Sequence, residues 1–307
     1  MIKTAIRRFK ALFTRVHELH NSLDAFPYYF RRAEYEKIIF GDAGSGVTDR
    51  DYCGRPVVVS LTSYGRRLID VCFTIESIMQ QSWRPNRIVL WLAPDDMARP
   101  LPEALVRQQA RGLEIRRTPD IRSYKKLLPA LEAMPDACIV TVDDDMIYDF
   151  DLLERLIKGH IANPHAIVST KTYRVAFDRR NRLLPYRKWD RSNDGPGERS
   201  AALFVLGGAG TLYPPGSLAP EVADTALCMK LSPGADDVWF NIMARRQGTP
   251  VVKIPVRHPE AKEYIDNRNM LDTGLARQNV DNNANDRQLA AVLAHFNLDP
   301  YSLFMKK

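Results

Sequence analysis

The stretch Ile139-Val140-Thr141-Val142-Asp143-Asp144-Asp145-Met146-Ile147-Tyr148 decides the fold. Four apolar or β-branched residues run directly into three consecutive carboxylates. Without alternation, such a run reads as a strand of a parallel sheet, because those strands are covered on both faces. The carboxylates then fall at the carboxyl end of the strand, where open α/β sheets place their ligand crevice. Three adjacent carboxylates repel one another, and burial raises their pKa values unless a cation compensates. A hard divalent ion that shares its coordination with substrate phosphates is the simplest compensation. The alternative is a solvated acidic turn, and direct attachment to a buried strand argues against it.

Working outward, Val57 to Leu61 reads as a strand, followed by the loop Thr62-Ser63-Tyr64-Gly65-Arg66-Arg67. Leu68, Val71, Cys72, Ile75, Ile78 and Met79 then keep helical spacing. A second strand, Arg87 to Leu92, ends in Pro94-Asp95-Asp96, and Leu113 to Arg117 is a third. Lys125 to Met134 reads as a helix in which Pro129 is tolerable only near the first turn. This alternation predicts a parallel sheet covered by helices. No glycine-rich phosphate loop of the Walker or GxGxxG kind occurs.

Beyond the triplet, a helix from Leu152 to Ile161 and a strand from Ala166 to Thr170 are expected. Residues Tyr173 to Arg199 are polar, aromatic and basic, and read either as an acceptor loop or as an irregular excursion. Gly207-Gly208-Ala209-Gly210 allows close backbone approach to a ligand, or simply a tight turn before Tyr213-Pro214-Pro215. Asp236-Asp237 opens an amphipathic helix, where the dipole alone favours acids. Val251 to Ile254 reads as a last strand, followed by Arg257-His258, and an Asn-rich tail precedes a closing helix with Leu289, Val292, Leu293 and Phe296.

Composition bounds the partners. The 307 residues are 45% hydrophobic and 26% charged, ordinary for a globular chain. A net charge of +7 favours anionic ligands, but the cations are spread along the chain in no nucleic-acid-binding motif. The four cysteines, Cys53, Cys72, Cys138 and Cys228, show no CxxC spacing, which argues against a zinc module or a disulfide framework and for a reducing compartment. No apolar run approaches the ~18 residues of a membrane span. Ile2, Ile6, Phe9, Phe13 and Val16 line one face of an N-terminal helix whose other faces carry Lys3, Arg7, Arg8, Lys10 and Arg15. Such a helix packs on protein or lies on an anionic membrane surface. A cytoplasmic chain is expected, with peripheral contact at the inner face of the cell membrane. The expected division is residues 1–54 (helix and linker), 55–260 (α/β domain) and 261–307 (C-terminal segment and helix).

The ordered set SLTSYGRR (60–67), TIESIMQQSWRPNRIVLWLA (74–93), DIRSYKKLLPAL (120–131), VTVDDDMIY (140–148) and GADDVWF (234–240) resembles bacterial nucleotide-sugar glycosyltransferases of the GT-A fold. It is most similar to family-2-like enzymes of capsule, O-antigen and related surface-polysaccharide synthesis, over roughly Arg55 to Pro255. The resemblance implies a single GT-A-like (Rossmann-like) α/β domain, a Mn²⁺ or Mg²⁺ ion, a nucleotide-sugar donor, and a glycan or lipid-linked acceptor. It implies that Thr62, Ser63 and Tyr64 line the nucleotide pocket and that Arg66 reaches the donor phosphates. Asp95 or Asp96 would hold the base or ribose, and Lys125 or Lys126 would approach the donor. Asp143 and Asp145 would form the DxD pair beside Asp144, with Asp145 the direct metal ligand and His258 a further one. Gly207, Gly208 and Trp239 would lie on the acceptor side. Asp237 would be the catalytic base of an inverting transfer, kept ionised by the helix dipole, with Asp236 standing where Glu is common in the family.

Two other classes fit parts of the pattern. A haloacid-dehalogenase-like phosphohydrolase also uses an Asp-x-Asp at a strand end, but it expects Thr or Val where Ile147 stands and its nucleophile near the start of the domain. A noncatalytic nucleotide- or glycan-binding module would bind without turnover.

Overall fold

The apolar runs assemble into one eight-stranded sheet. The computed structural model describes residues 25–191, 197–255, 264–267, 269–270 and 283–305. A helix over residues 25–40 (α1) leads to β1 (Val57–Thr62), α2 (Val71–Met79), β2 (Arg87–Leu92), the short α3 (Pro94–Met97), α4 (Glu103–Gln109) and β3 (Leu113–Arg117). Then come α5 (Leu128–Ala133), β4 (Cys138–Thr141), β5 (Met146–Tyr148), α6 (Leu152–Ala162), β6 (Ile167–Ser169), β7 (Thr172–Arg174), β8 (Glu198–Arg199), β9 (Leu203–Val205) and β10 (Thr211–Tyr213). The chain continues through α7 (Thr225–Leu231), α8 (Asp236–Arg246), β11 (Val251–Lys253), β12 (Tyr264–Asp266), α9 (Ala284–His295) and α10 (Pro300–Met305).

The strand order is β3-β2-β1-β4-β10-β6-β11-β8. β1 to β4 are mutually parallel, β10 runs antiparallel between β4 and β6, and β11 is parallel to β6. The expected α/β class, a mostly parallel sheet between helical layers, is therefore what the chain adopts. Successive side chains of a strand point to opposite faces, and here both faces are dry. Val57, Val59 and Leu61 pack with α2, α4 and α6, whereas Val58 joins the core under α5, α8 and α9. That two-sided burial is why these strands read as continuous apolar runs.

Several expectations shift. The proposed helix from Lys125 begins instead as a 3₁₀ turn, Arg122–Lys126, with α5 starting at Leu128 so that Pro129 sits in its first turn. The antiparallel β10 was not anticipated. In the Tyr173–Arg199 segment, of which residues 192–196 lie outside the described ones, the chain forms most of β7 and all of β8, and Tyr186 and Trp189 are buried against Phe204. The basic face proposed for residues 1–20 lies outside the described residues, as does His258. Among the described residues, no helix is long and apolar enough to cross a membrane.

Candidate active site

β4 delivers the acidic triplet to the carboxyl edge of the sheet, and each carboxylate meets a different environment. Asp144 turns into the loop after β1. Ser63 Oγ donates to its Oδ2 at 2.6 Å and Arg67 Nε donates to the same oxygen at 2.9 Å, while the other carboxylate oxygen pairs with the Arg67 terminal nitrogen. Thr74 Oγ1 donates to its carbonyl at 2.9 Å. Arg67, only 6% exposed, also bridges to Asp145 Oδ2 at 2.9 Å. Asp145 stays partly open, and burial followed by the charges of Asp143 and Asp144 raises its pKa to about 6 against the pull of Arg67.

Asp143 faces the other way, toward α8. Its Oδ1 accepts from Lys126 Nζ at 2.8 Å, and the same ammonium stands 3.1 Å from Asp236 Oδ2. Lys126 is placed by the 3₁₀ turn, whose Lys126 carbonyl accepts from Ser60 Oγ on β1 at 2.6 Å. Burial alone would lower the Lys126 pKa, but Asp143, Asp236 and Asp237 hold it well above the ordinary value. One buried lysine thus joins the two acidic motifs across the crevice.

Asp237, in the first turn of α8, accepts the Gly207 N–H at its Oδ1 at 2.9 Å. Asn241, one turn on, binds both polar backbone groups of Val205 at 2.8 and 2.9 Å, locking α8 to β9. The expectation that the helix dipole keeps Asp237 ionised is corrected. Burial, then the charge of Asp236, raises its pKa to about 7, with Lys126 and the Gly207 N–H opposing. Desolvation and a like charge beside it outweigh the partial charge of one helix end.

Gly208 is the tightest point. Its carbonyl accepts from Asp143 N–H at 3.2 Å and from the buried Tyr148 hydroxyl, and a Cβ built on it would overlap the Asp143 carboxylate. Gly208→Ala must therefore expel the Asp143 side chain from its bond to Lys126. We expect at least about a tenfold weaker apparent affinity for divalent metal in the presence of nucleotide, read by calorimetric titration.

The remaining predicted residues divide clearly. Tyr64 is exposed, with the Arg67 guanidinium 5.6 Å from its ring centroid. Thr62 Oγ1 is engaged with the Trp91 carbonyl at 2.8 Å. Arg66 points to solvent, and its neighbour Arg67, which the sequence did not single out, is the arginine that meets the triplet. Asp96 is buried and accepts the Gly65 N–H at 2.8 Å, fixing the loop after β1, whereas Asp95 is exposed. Lys125 pairs with Asp120 at 2.8 Å and Lys126 takes the central place. Trp239 is corrected from acceptor side to core: it is fully buried, and its indole N–H donates to the Val222 carbonyl at 3.2 Å.

The donor set fits a hard divalent ion. Five carboxylates (Asp143, Asp144, Asp145, Asp236 and Asp237) face two paired cations, Arg67 and Lys126, so negative charge is in excess. Asp144 is taken by Arg67 and Ser63, Asp145 keeps a partly open carboxylate beside Arg67, and Asp143 shares Lys126 with Asp236. One or two carboxylates with substrate phosphates are a common way to hold such an ion.

No known family pattern and no curated protein matches the chain. Among solved structures it is similar to the mannosyltransferase PcManGT from Pyrobaculum calidifontis in complex with GDP-Man and Mn²⁺, at 17% identity and a TM-score of 0.48 over 91% of this chain and 74% of that one. It is also similar to 4-diphosphocytidyl-2C-methyl-D-erythritol synthase from Anaerococcus prevotii, at 14% identity and a TM-score of 0.44 over 76% of this chain and 97% of that one. Neither superposition is close enough to transfer a residue role or a ligand.

Proposed function

We propose that this chain is a metal-dependent glycosyltransferase that moves a sugar from a nucleotide-diphosphate donor to a hydroxyl of a glycan or lipid-linked acceptor, with inversion, in bacterial surface-polysaccharide synthesis. The observation that carries this reading is the convergence, at one sheet edge, of a DxD pair and a separate carboxylate whose pKa of about 7 suits a general base.

A bound divalent ion at Asp143 and Asp145 would supply charge stabilisation for the departing nucleoside diphosphate. The protein's own groups do the rest. Ser63 and Arg67 fix the middle carboxylate, Arg67 also pairs with Asp145, and Lys126 holds Asp143. Gly207 N–H occupies Asp237 Oδ1, which leaves Oδ2 to accept the proton of the acceptor hydroxyl. Lys126 balances Asp143 and Asp236 and keeps the two motifs at a fixed separation. The proposed peripheral position at the membrane would bring the site to a lipid-linked acceptor.

Thermal-shift measurement against nucleoside diphosphates and nucleotide sugars, each with Mn²⁺ or Mg²⁺, tests the donor assignment. Stabilisation that requires nucleotide and metal together is expected. Stabilisation and turnover with simple phosphomonoesters instead would identify a phosphohydrolase.

A further inference from the structure

At the opposite end of β4 from the triplet, three residues far apart in the chain come together. Cys53 lies in the segment entering β1, Cys138 is the first residue of β4, and His160 is on α6. One ligand atom from each lies within 4.8 Å of the other two. Cys138 Sγ and His160 Nε2 are 3.5 Å apart. A tetrahedral zinc ion, with Zn–S of about 2.3 Å and Zn–N of about 2.0–2.1 Å, places sulfur and nitrogen ligands about 3.6 Å from each other. The spacing in sequence excludes a finger-type module, but it says nothing about a site assembled by tertiary contacts.

We propose that Cys53, Cys138 and His160 form a thiophilic divalent-metal site, with Zn²⁺ as its ion and a water in the fourth position. Cys138 and His160 are buried, whereas Cys53 is half-buried and leaves one side of the cluster open for that water. His160 presents Nε2 to the Cys138 sulfur, which makes Nε2 the ligand nitrogen, and its buried Nδ1 has no hydrogen-bond partner among the described residues. Binding would release two thiol protons to solvent and leave two thiolates on the ion. Soft sulfur donors here and hard oxygen donors at the triplet would also sort different ions to the two ends of the sheet. The site would clip the entry to β1, the base of β4 and α6 together beneath the strand that carries the acidic triplet.

The test uses the full chain, reduced and stripped of metal, in excess Mg²⁺ to occupy oxygen sites. Titration with Co²⁺ should give one equivalent of a tetrahedral spectrum with a thiolate-to-cobalt charge-transfer band, bleached by Zn²⁺. Zn²⁺ should raise the thermal midpoint of the same sample. Cys53→Ser, chosen because its side chain is half-buried, and His160→Gln should each weaken Zn²⁺ binding about tenfold or more, since even outer-shell partners show losses of that size. Absence of the charge-transfer band, or its full retention in Cys53→Ser, would overturn the proposal. So would a Cys53–Cys138 disulfide found by peptide mapping of protein isolated without reductant. None of these readouts depends on glycosyl transfer.

Discussion

Asp237→Asn should lower transfer turnover by about 100-fold or more while leaving donor affinity nearly unchanged. The amide keeps the size of the side chain and can still accept the Gly207 N–H, but it cannot take a proton from an acceptor hydroxyl. Stability should move in the opposite direction. The folded pKa of about 7 stands above the ordinary carboxylate value, so the fold favours the protonated form. That contribution is complete below the unfolded pKa and is lost as pH rises through about 7. At pH 8 the neutral Asn should therefore raise the thermal midpoint, and a rise in midpoint with a fall in turnover separates a lost base from a damaged fold. For the same reason, wild-type turnover at saturating donor should climb as pH passes through about 7 and then level off. Asp236→Asn should have the smaller effect, since Asp236 faces Lys126 at 3.1 Å. A product that retains the anomeric configuration of the donor, read by NMR, would remove Asp237 from the role of inverting base.

Arg67→Met should destabilise the protein by about 3–5 kcal/mol, because removing one partner of a buried ion pair strands the other charge. Here Asp144 is almost fully buried, and Arg67 is also the cation nearest Asp145. Urea unfolding gives the measurement. A loss under about 1 kcal/mol, the range of exposed pairs, would mean that Asp144 is neutralised in another way. Arg66→Ala, at an exposed position next door, should stay within about 0.5 kcal/mol.

The difference between Arg66 and Arg67 shows where sequence reasoning stops. Both follow the first strand, and only the phase of the 3₁₀ turn Gly65–Ile69 decides which one turns inward. The strands β1, β2 and β4 were legible because burial on both faces leaves an uninterrupted apolar run, and α8 was legible because its acids sit in its first turn. β10 was hidden: three residues before Pro214-Pro215 resemble a turn, and its pairing with β4 and β6 is wholly nonlocal. Gly208 had a visible cue, since glycine permits close backbone approach, but the carboxylate that it admits lies on another element. Trp239 misled because proximity in sequence to Asp237 does not determine the face of a helix. The Cys53–Cys138–His160 cluster left no local pattern at all.

The most direct test of the account is nucleoside diphosphate release from a panel of nucleotide sugars with glycan or lipid-linked acceptors, comparing the wild type with Asp145→Ala in Mn²⁺ or Mg²⁺ and after chelation. The wild type should transfer sugar only with metal present. Asp145→Ala should lose that activity and still unfold cooperatively at a midpoint no lower than that of the wild type, because the burial and like charges that raise the Asp145 pKa would be relieved. Transfer that survives in Asp145→Ala with the metal removed would contradict the account.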